Sequence, residues 1–200
     1  MGSIPSPSSS EMAPAVTSAK IVVAGGFGAG KTTLVGSVSE IPPVNTEAIM
    51  TEASVSHDDL SHTPDKSTTT VAMDFGRLTI EEGLLLYLFG TPGQDRFWFM
   101  WEDLVRGALG AVVLADSRRL ADSFQAIDYF EKHHDLPFLV ALNRFEGVPM
   151  HPLDEVRDAL ALGPEVPVVA LDARSRRESA GVLAHLLRYA LSKQQEPAAR

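Results

Sequence analysis

Eight residues near the start of the chain limit what it can become: Gly25-Gly26-Phe27-Gly28-Ala29-Gly30-Lys31-Thr32. They follow an apolar run, Ile21 to Ala24, and lead into Thr33-Leu34-Val35, which opens a helix. A strand that ends in this G-x-x-x-x-G-K-T pattern and passes into a helix is a P-loop. Glycines at 25, 28 and 30 let the main chain curl so that N–H groups face phosphate oxygens. The partial positive charge of the helix N-terminus adds to that cup. The phosphate-binding set is Gly25, Gly28, Ala29, Gly30, Lys31, Thr32 and Thr33. Lys31 reaches the outer phosphates, and the Thr32 hydroxyl is a ligand for Mg²⁺.

The length of 200 residues suits one domain with tails, and 44% hydrophobic content suffices for one sizeable core. A net charge of −9 and the lack of any dense Lys/Arg run exclude a general nucleic-acid binder. With no cysteine, there are no disulfides or thiolate metal sites, which fits a reducing, cytoplasmic setting. No apolar run approaches the roughly 20 residues of a membrane span, and the N-terminus lacks a charged-then-apolar leader pattern. Met1-Gly2-Ser3-Ile4-Pro5-Ser6 matches the myristoylation pattern, but a Ser/Pro-rich tail through Ser18 is the simpler reading.

The chain between the tails alternates short apolar runs with helical periodicity. Strands are expected at 20–24, 110–115, 138–142 and 166–171, and a hairpin at 71–80 and 84–89 around Glu81-Glu82-Gly83. Helices follow from Lys31 to about Glu40, from Leu120-Phe124-Ile127-Phe130, from Leu153-Val156-Leu160 and from Leu183-Leu186-Leu187-Ala190. The implied fold is α/β, a three-layer sandwich with about six mostly parallel strands and one antiparallel edge hairpin. The domain is expected over 19–192, with tails at 1–18 and 193–200. Residues 41–69 have a poor pattern for so long a connection, which implies either short pieces of structure within them or a functional segment that remodels between states.

Leu88-Phe89-Gly90-Thr91-Pro92-Gly93-Gln94 follows a strand directly. Here the chain resembles the Ras-like small GTPases over about residues 20–192, whose loop reads D-x-x-G-Q. The resemblance implies a P-loop NTPase G-domain that binds GTP/GDP with Mg²⁺. It places the Gly93 N–H on the γ-phosphate and Gln94 on the attacking water. Gly90 stands where those proteins hold Mg²⁺ through an aspartate, a departure in the metal's outer shell. The T-P-G-Q form is similar to bacterial gliding-motility polarity GTPases, and more closely to actinobacterial conservon GTPases. Thr68 to Gly76 and Phe89 to Asp116 carry that likeness. It implies a Roadblock-type partner, a sensor-kinase complex, and peripheral membrane association only through partners.

The remaining motifs follow in superfamily order. Thr70, in T-x-x-x-D-F, takes the place of the first switch threonine, a catalytic and Mg²⁺-binding role; Thr69 is equally placed by spacing, and β-propensity alone also accounts for the run. Asn143-Arg144-Phe145-Glu146 stands where the superfamily has N-K-x-D, although a polar turn ending a strand has the same composition. Asn143 then holds the base and bridges to the P-loop, Arg144 stacks on the base, and Glu146 accepts from the guanine edge. Leu171-Asp172-Ala173-Arg174 resembles the S-A-K loop, which puts Ala173 and Arg174 at the base. Phe27 stands where a small residue is usual, and slow hydrolysis is expected from crowding there.

Gln94 to Trp101 is rich in large apolar residues. Phe97, Trp101 and Leu104 read as core, and Trp98, Phe99 and Met100 as an exposed partner surface. His133, His134 and His151 read as solvated residues. Asp116-Ser117-Arg118-Arg119, after a strand, reads as a helix entry with Ser117 as cap, the alternative being contact with nucleotide or a partner. Two other functions fit the same motifs: a nucleotide-binding adaptor without hydrolysis, and an ATP-using P-loop kinase or ATPase.

Overall fold

The computed structural model describes residues 17–42, 44–49, 70–81, 83–93, 99–132 and 136–195. Seven strands form one sheet in the order β2-β3-β4-β1-β5-β6-β7. They are β1 (Thr17–Gly25), β2 (Val44–Ile49), β3 (Thr70–Glu81), β4 (Leu84–Gly90), β5 (Gly110–Asp116), β6 (Phe138–Asn143) and β7 (Val168–Leu171). The helices are α1 (Lys31–Val38), α2 (Trp101–Val105), α3 (Phe124–Lys132), α4 (Leu153–Ala159) and α5 (Arg176–Gln195). Strands β4, β1, β5, β6 and β7 run parallel, and β3 opposes both of its neighbours.

The parallel sheet and the antiparallel hairpin match the sequence expectation. Beyond it, β2 adds a seventh strand and takes the edge from the hairpin. An edge strand is held by one neighbour's backbone, so a short run such as Val-Asn-Thr-Glu-Ala-Ile needs little apolar pattern to join. The domain also reaches further than its expected ends. The Thr17 N–H donates to the Gly83 carbonyl at 2.7 Å, which draws β1 into the segment read as tail. At the other end α5 continues to Gln195.

Alternate residues of each central strand feed opposite faces. Ile21 and Val23 of β1 pack with Leu34, Val112, Leu114, Leu183 and Leu186, beneath α1 and α5. Val22 and Ala24 pack with Val113, Ile127, Phe130, Val140 and Val156, beneath α3 and α4. This two-sided burial explains why the strands read as continuous apolar runs. Trp101 seats α2 in the second core, 5.0 Å from Tyr129 and 5.8 Å from Phe130, and Leu104 is buried with it. The Lys20 ammonium donates to the carbonyls of Asp103 (3.3 Å) and Arg106 (3.0 Å), tying the end of α2 to β1. Phe97 and Trp98 lie outside the described residues; Phe99 is exposed and Met100 half-buried.

Candidate nucleotide site

The parallel strands β1, β4, β5 and β6 all end at one rim of the sheet, where ligands of open α/β folds bind. The loop between β1 and α1 forms the centre of that rim. Gly25, Gly28 and Gly30 have φ of 140°, 75° and 108°, conformations that residues with a side chain rarely adopt. At Gly30 space forbids one as well, because a Cβ would meet Asn143 Nδ2 at 2.5 Å. No side chain caps α1. By helix geometry the N–H groups of Lys31, Thr32 and Thr33 therefore have no acceptor within the helix, and an anion is their natural cap.

The loop's carbonyls are divided among three donors. Lys31 Nζ donates to the Gly25 and Gly26 carbonyls, each at 2.8 Å. The Phe27 carbonyl accepts from Arg119 Nη2 at 3.0 Å, and the Ala29 carbonyl accepts from Asn143 Nδ2 at 2.9 Å. Burial pushes the Lys31 ammonium down to about 8, partly opposed by the Asp74 carboxylate. Phe27, expected to crowd this region, is 70% exposed.

Asp74 is the residue that sequence reasoning missed. It pairs across the β3–β4 ladder with Gly90, the position that lacks the usual aspartate. Its Oδ2 accepts a hydrogen bond from the Thr32 hydroxyl at 2.8 Å. A Cβ at Gly90 would lie 2.8 Å from that same oxygen, so the glycine makes room for the neighbouring strand's carboxylate. A carboxylate from β3 thus lies beside the P-loop at the place on β4 where the sequence has Gly90. A hydroxyl beside a carboxylate is a hard oxygen donor set, and it fits Mg²⁺. The signal was present in Asp74-Phe75, but only the register of the hairpin reveals its use.

Thr70 opens β3, paired with Ile49, four residues before Asp74 along the strand. Its backbone is thus part of the sheet ladder. Thr69 and Gln94 lie outside the described residues, as do Asp95, Arg96, His133 and His134. Gly93 lies at the mouth of the cup, where a Cβ would stand 2.8 Å from Lys31 Nζ and 3.1 Å from Phe27 Cα. His151 is exposed, and among the described residues no three His, Asp or Glu side chains gather as a metal cluster.

Beside the P-loop a cavity of about 330 Å³ is lined by Gly28, Thr33, Arg118, Asn143, Glu146 and Arg174, among others. Asn143 holds it together. Buried at the end of β6, it donates to Ala29 and accepts from the Ala173 N–H at 3.0 Å. One amide thus joins the P-loop to the loop after β7. Arg174 clasps Asp172 with two hydrogen bonds, at 3.0 and 2.9 Å, and reaches Glu146 at 3.7 Å. Those bonds from Arg174 hold the Asp172 carboxyl down to about 2. Arg144, expected to stack on a base, lines the cavity and is paired with Glu178. Arg118 is another flat cation at the wall, centred 3.6 Å from the centre of the Phe145 ring.

Arg118 is fixed by two bonds to Asp116, at 2.9 and 2.7 Å, and its own N–H also donates to that carboxylate. This turn is organised by Asp116. The helical turn Leu120–Ser123 starts after Arg119 with no side-chain cap, which corrects the capping role expected of Ser117. A larger cavity, about 740 Å³, opens at the opposite end of the sheet near Leu109, Pro137 and Tyr189. It lies at the amino ends of the strands, where this class of sheet does not place its ligand.

The model of the family described as "Conserved hypothetical ATP binding protein" matches residues 23–193. The chain belongs to that family. An uncharacterized protein of Methanocaldococcus jannaschii, MJ1339, is 30% identical over 127 residues, covering 62% of this chain and 69% of the relative. Among solved structures, the Arl6 BBS3 small GTPase of Trypanosoma brucei, with the nucleotide analogue GppNp bound, superposes with a TM-score of 0.63. It is 18% identical, over 90% of this chain and all of that one. The FeoB G-domain of Methanococcus jannaschii gives 0.57 at 14% identity, over 88% of this chain and 99% of that one. These likenesses show a G-domain fold. Together with the family they make this member a nucleotide-binding P-loop protein. Among the described residues no helix is long and apolar enough to cross a membrane.

Proposed function

We propose that the chain is a guanine-nucleotide switch that hydrolyses GTP slowly to GDP and phosphate. The observation that carries this reading is Asn143, whose amide joins the P-loop to the loop bearing Ala173 beside the Glu146 carboxylate. A phosphate cup alone serves any nucleoside triphosphate. A carboxylate at the base pocket favours guanine, which presents N–H donors, over adenine, which presents an acceptor. The family description names ATP, and Glu146 is already drawn toward Arg174, so ATP is the competing reading.

In the proposed cycle Lys31 leaves the Gly25 and Gly26 carbonyls to meet phosphate, and the amides around α1's start fix the triphosphate. Thr32 and Asp74 would hold Mg²⁺, which offsets phosphate charge as the terminal group leaves. Gln94 would orient the attacking water, Gly93 would donate to the terminal phosphate, and Thr70 would report its presence. Chemistry of this type depends on positioning and charge stabilisation. The output is the conformation offered to partners. The resemblance to conservon GTPases supports a Roadblock-type partner, for which exposed Phe99 beside the second switch is a contact residue.

The test is phosphate release under single turnover with Mg·GTP. Slow release that needs Mg²⁺ and is lost in Gln94→Ala is expected. Bound GTP that never turns over would leave the adaptor reading in its place.

A further inference from the structure

Arg119 belongs to the turn after β5, read from the sequence chiefly as a helix entry, and it is bonded to the P-loop. Its Nη2 donates to the Phe27 carbonyl at 3.0 Å and lies 3.6 Å from where a Cβ on Gly28 would stand. Its Nε is 3.4 Å from Asp122 Oδ2, and its Nη2 is 3.8 Å from the buried Asp116 carboxylate. Two acids on either side therefore aim one guanidinium at one peptide group. The peptide is the one joining Phe27 to Gly28.

A trans peptide is planar, with its C=O and N–H pointing in opposite directions. Among the described residues there are no cis peptide bonds. The Gly25 and Gly26 carbonyls turn toward Lys31, whereas the Phe27 carbonyl turns to Arg119. With that carbonyl fixed on the side of the loop after β5, the Gly28 N–H must face the other way, toward the cup. A cation on the carbonyl also withdraws electron density from the peptide, which makes its N–H a stronger donor.

We infer that Arg119 is a positioning residue for the phosphates, acting through the Phe27–Gly28 peptide to aim and polarise the Gly28 amide. It needs no contact with the nucleotide. This inference deepens the proposed function and rests on triphosphate binding in the cup, with hydrolysis a separate matter.

The experiment compares the full chain with Arg119→Ala and Arg119→Lys. Affinities for Mg·GTP and Mg·ATP are measured, and the Gly28 amide proton shift is followed in the bound state. Loss of one charge-assisted bond predicts about tenfold weaker binding of the preferred triphosphate in Arg119→Ala. An upfield shift of the Gly28 amide proton is expected with it. Lysine, which can also donate to the carbonyl, should restore much of both effects. Wild-type affinity in Arg119→Ala, or an unmoved Gly28 amide, would overturn this inference alone. A wild-type chain that binds neither triphosphate would overturn it together with the proposed function, and lysine behaving like alanine would reduce Arg119 to a packing role.

Discussion

Asp74 and Gly90 face each other across two strands, and the glycine leaves room for the acid. The carboxylate sits on β3, and the Thr32 hydroxyl of the P-loop donates to it. Asp74→Ala should therefore remove most of the Mg²⁺ dependence of triphosphate binding and weaken it roughly 10- to 100-fold, as for other outer-shell partners of a metal site. Titration with and without Mg²⁺ checks this, and an unchanged metal dependence would place the ion elsewhere. Lys31 gives a second prediction. Its ammonium is pushed down to about 8 by burial, and a bound polyphosphate should raise it again. Binding then takes up a proton above about pH 8. Affinity is full below that value and falls as pH rises toward the bound-state value. Calorimetry at pH 8.5, in buffers of differing ionisation enthalpy, should show that uptake (roughly half a unit above the cited value). Residues such as Gly25 to Thr32 and Asn143 were legible because each motif is local. Asp74 was not, because its place depends on a cross-strand register, and Arg119 was legible only as one of a stretch that could contact nucleotide or partner, because its bond to Phe27 joins a turn to a loop distant in sequence.

At the level of elements, strong patterns reached the structure and weak ones did not. The two-sided burial of β1, β5 and β6 left continuous apolar runs that no other arrangement accommodates. β2 left almost no trace, since an edge strand takes its support from β3. Helix α2 is a short element, and Trp101 is its anchor, 2% exposed among Tyr129 and Phe130. Trp101→Ala should cost about 3–5 kcal/mol of stability, and Trp101→Phe distinctly less. Chemical denaturation measures both. A loss under about 1 kcal/mol for alanine would mean that α2 is not seated as described.

Across the whole molecule the net charge is −9, and the carboxyl rim of the sheet is no exception. Lys31, Arg118, Arg119, Arg144 and Arg174 gather there, but Asp74, Asp116, Asp122, Glu146, Asp172 and Glu178 stand beside them. With those charges balanced, capture of a polyphosphate rests on the amides of the cup rather than on a cationic surface. The association rate should therefore not fall between about 0.05 and 0.5 M salt, which stopped-flow fluorescence with a labelled nucleotide can follow; a several-fold fall would contradict this. The fold, the cup and the Asn143 bridge make one claim together: phosphates and a guanine base are held at the same rim. Competition between GTP and ATP for the full chain, with Mg²⁺, tests it most directly. The account predicts that GTP displaces a labelled guanine nucleotide at least about tenfold better than ATP, and that Glu146→Ala erases the difference. Equal competition by the two, or a preference for ATP, would contradict it.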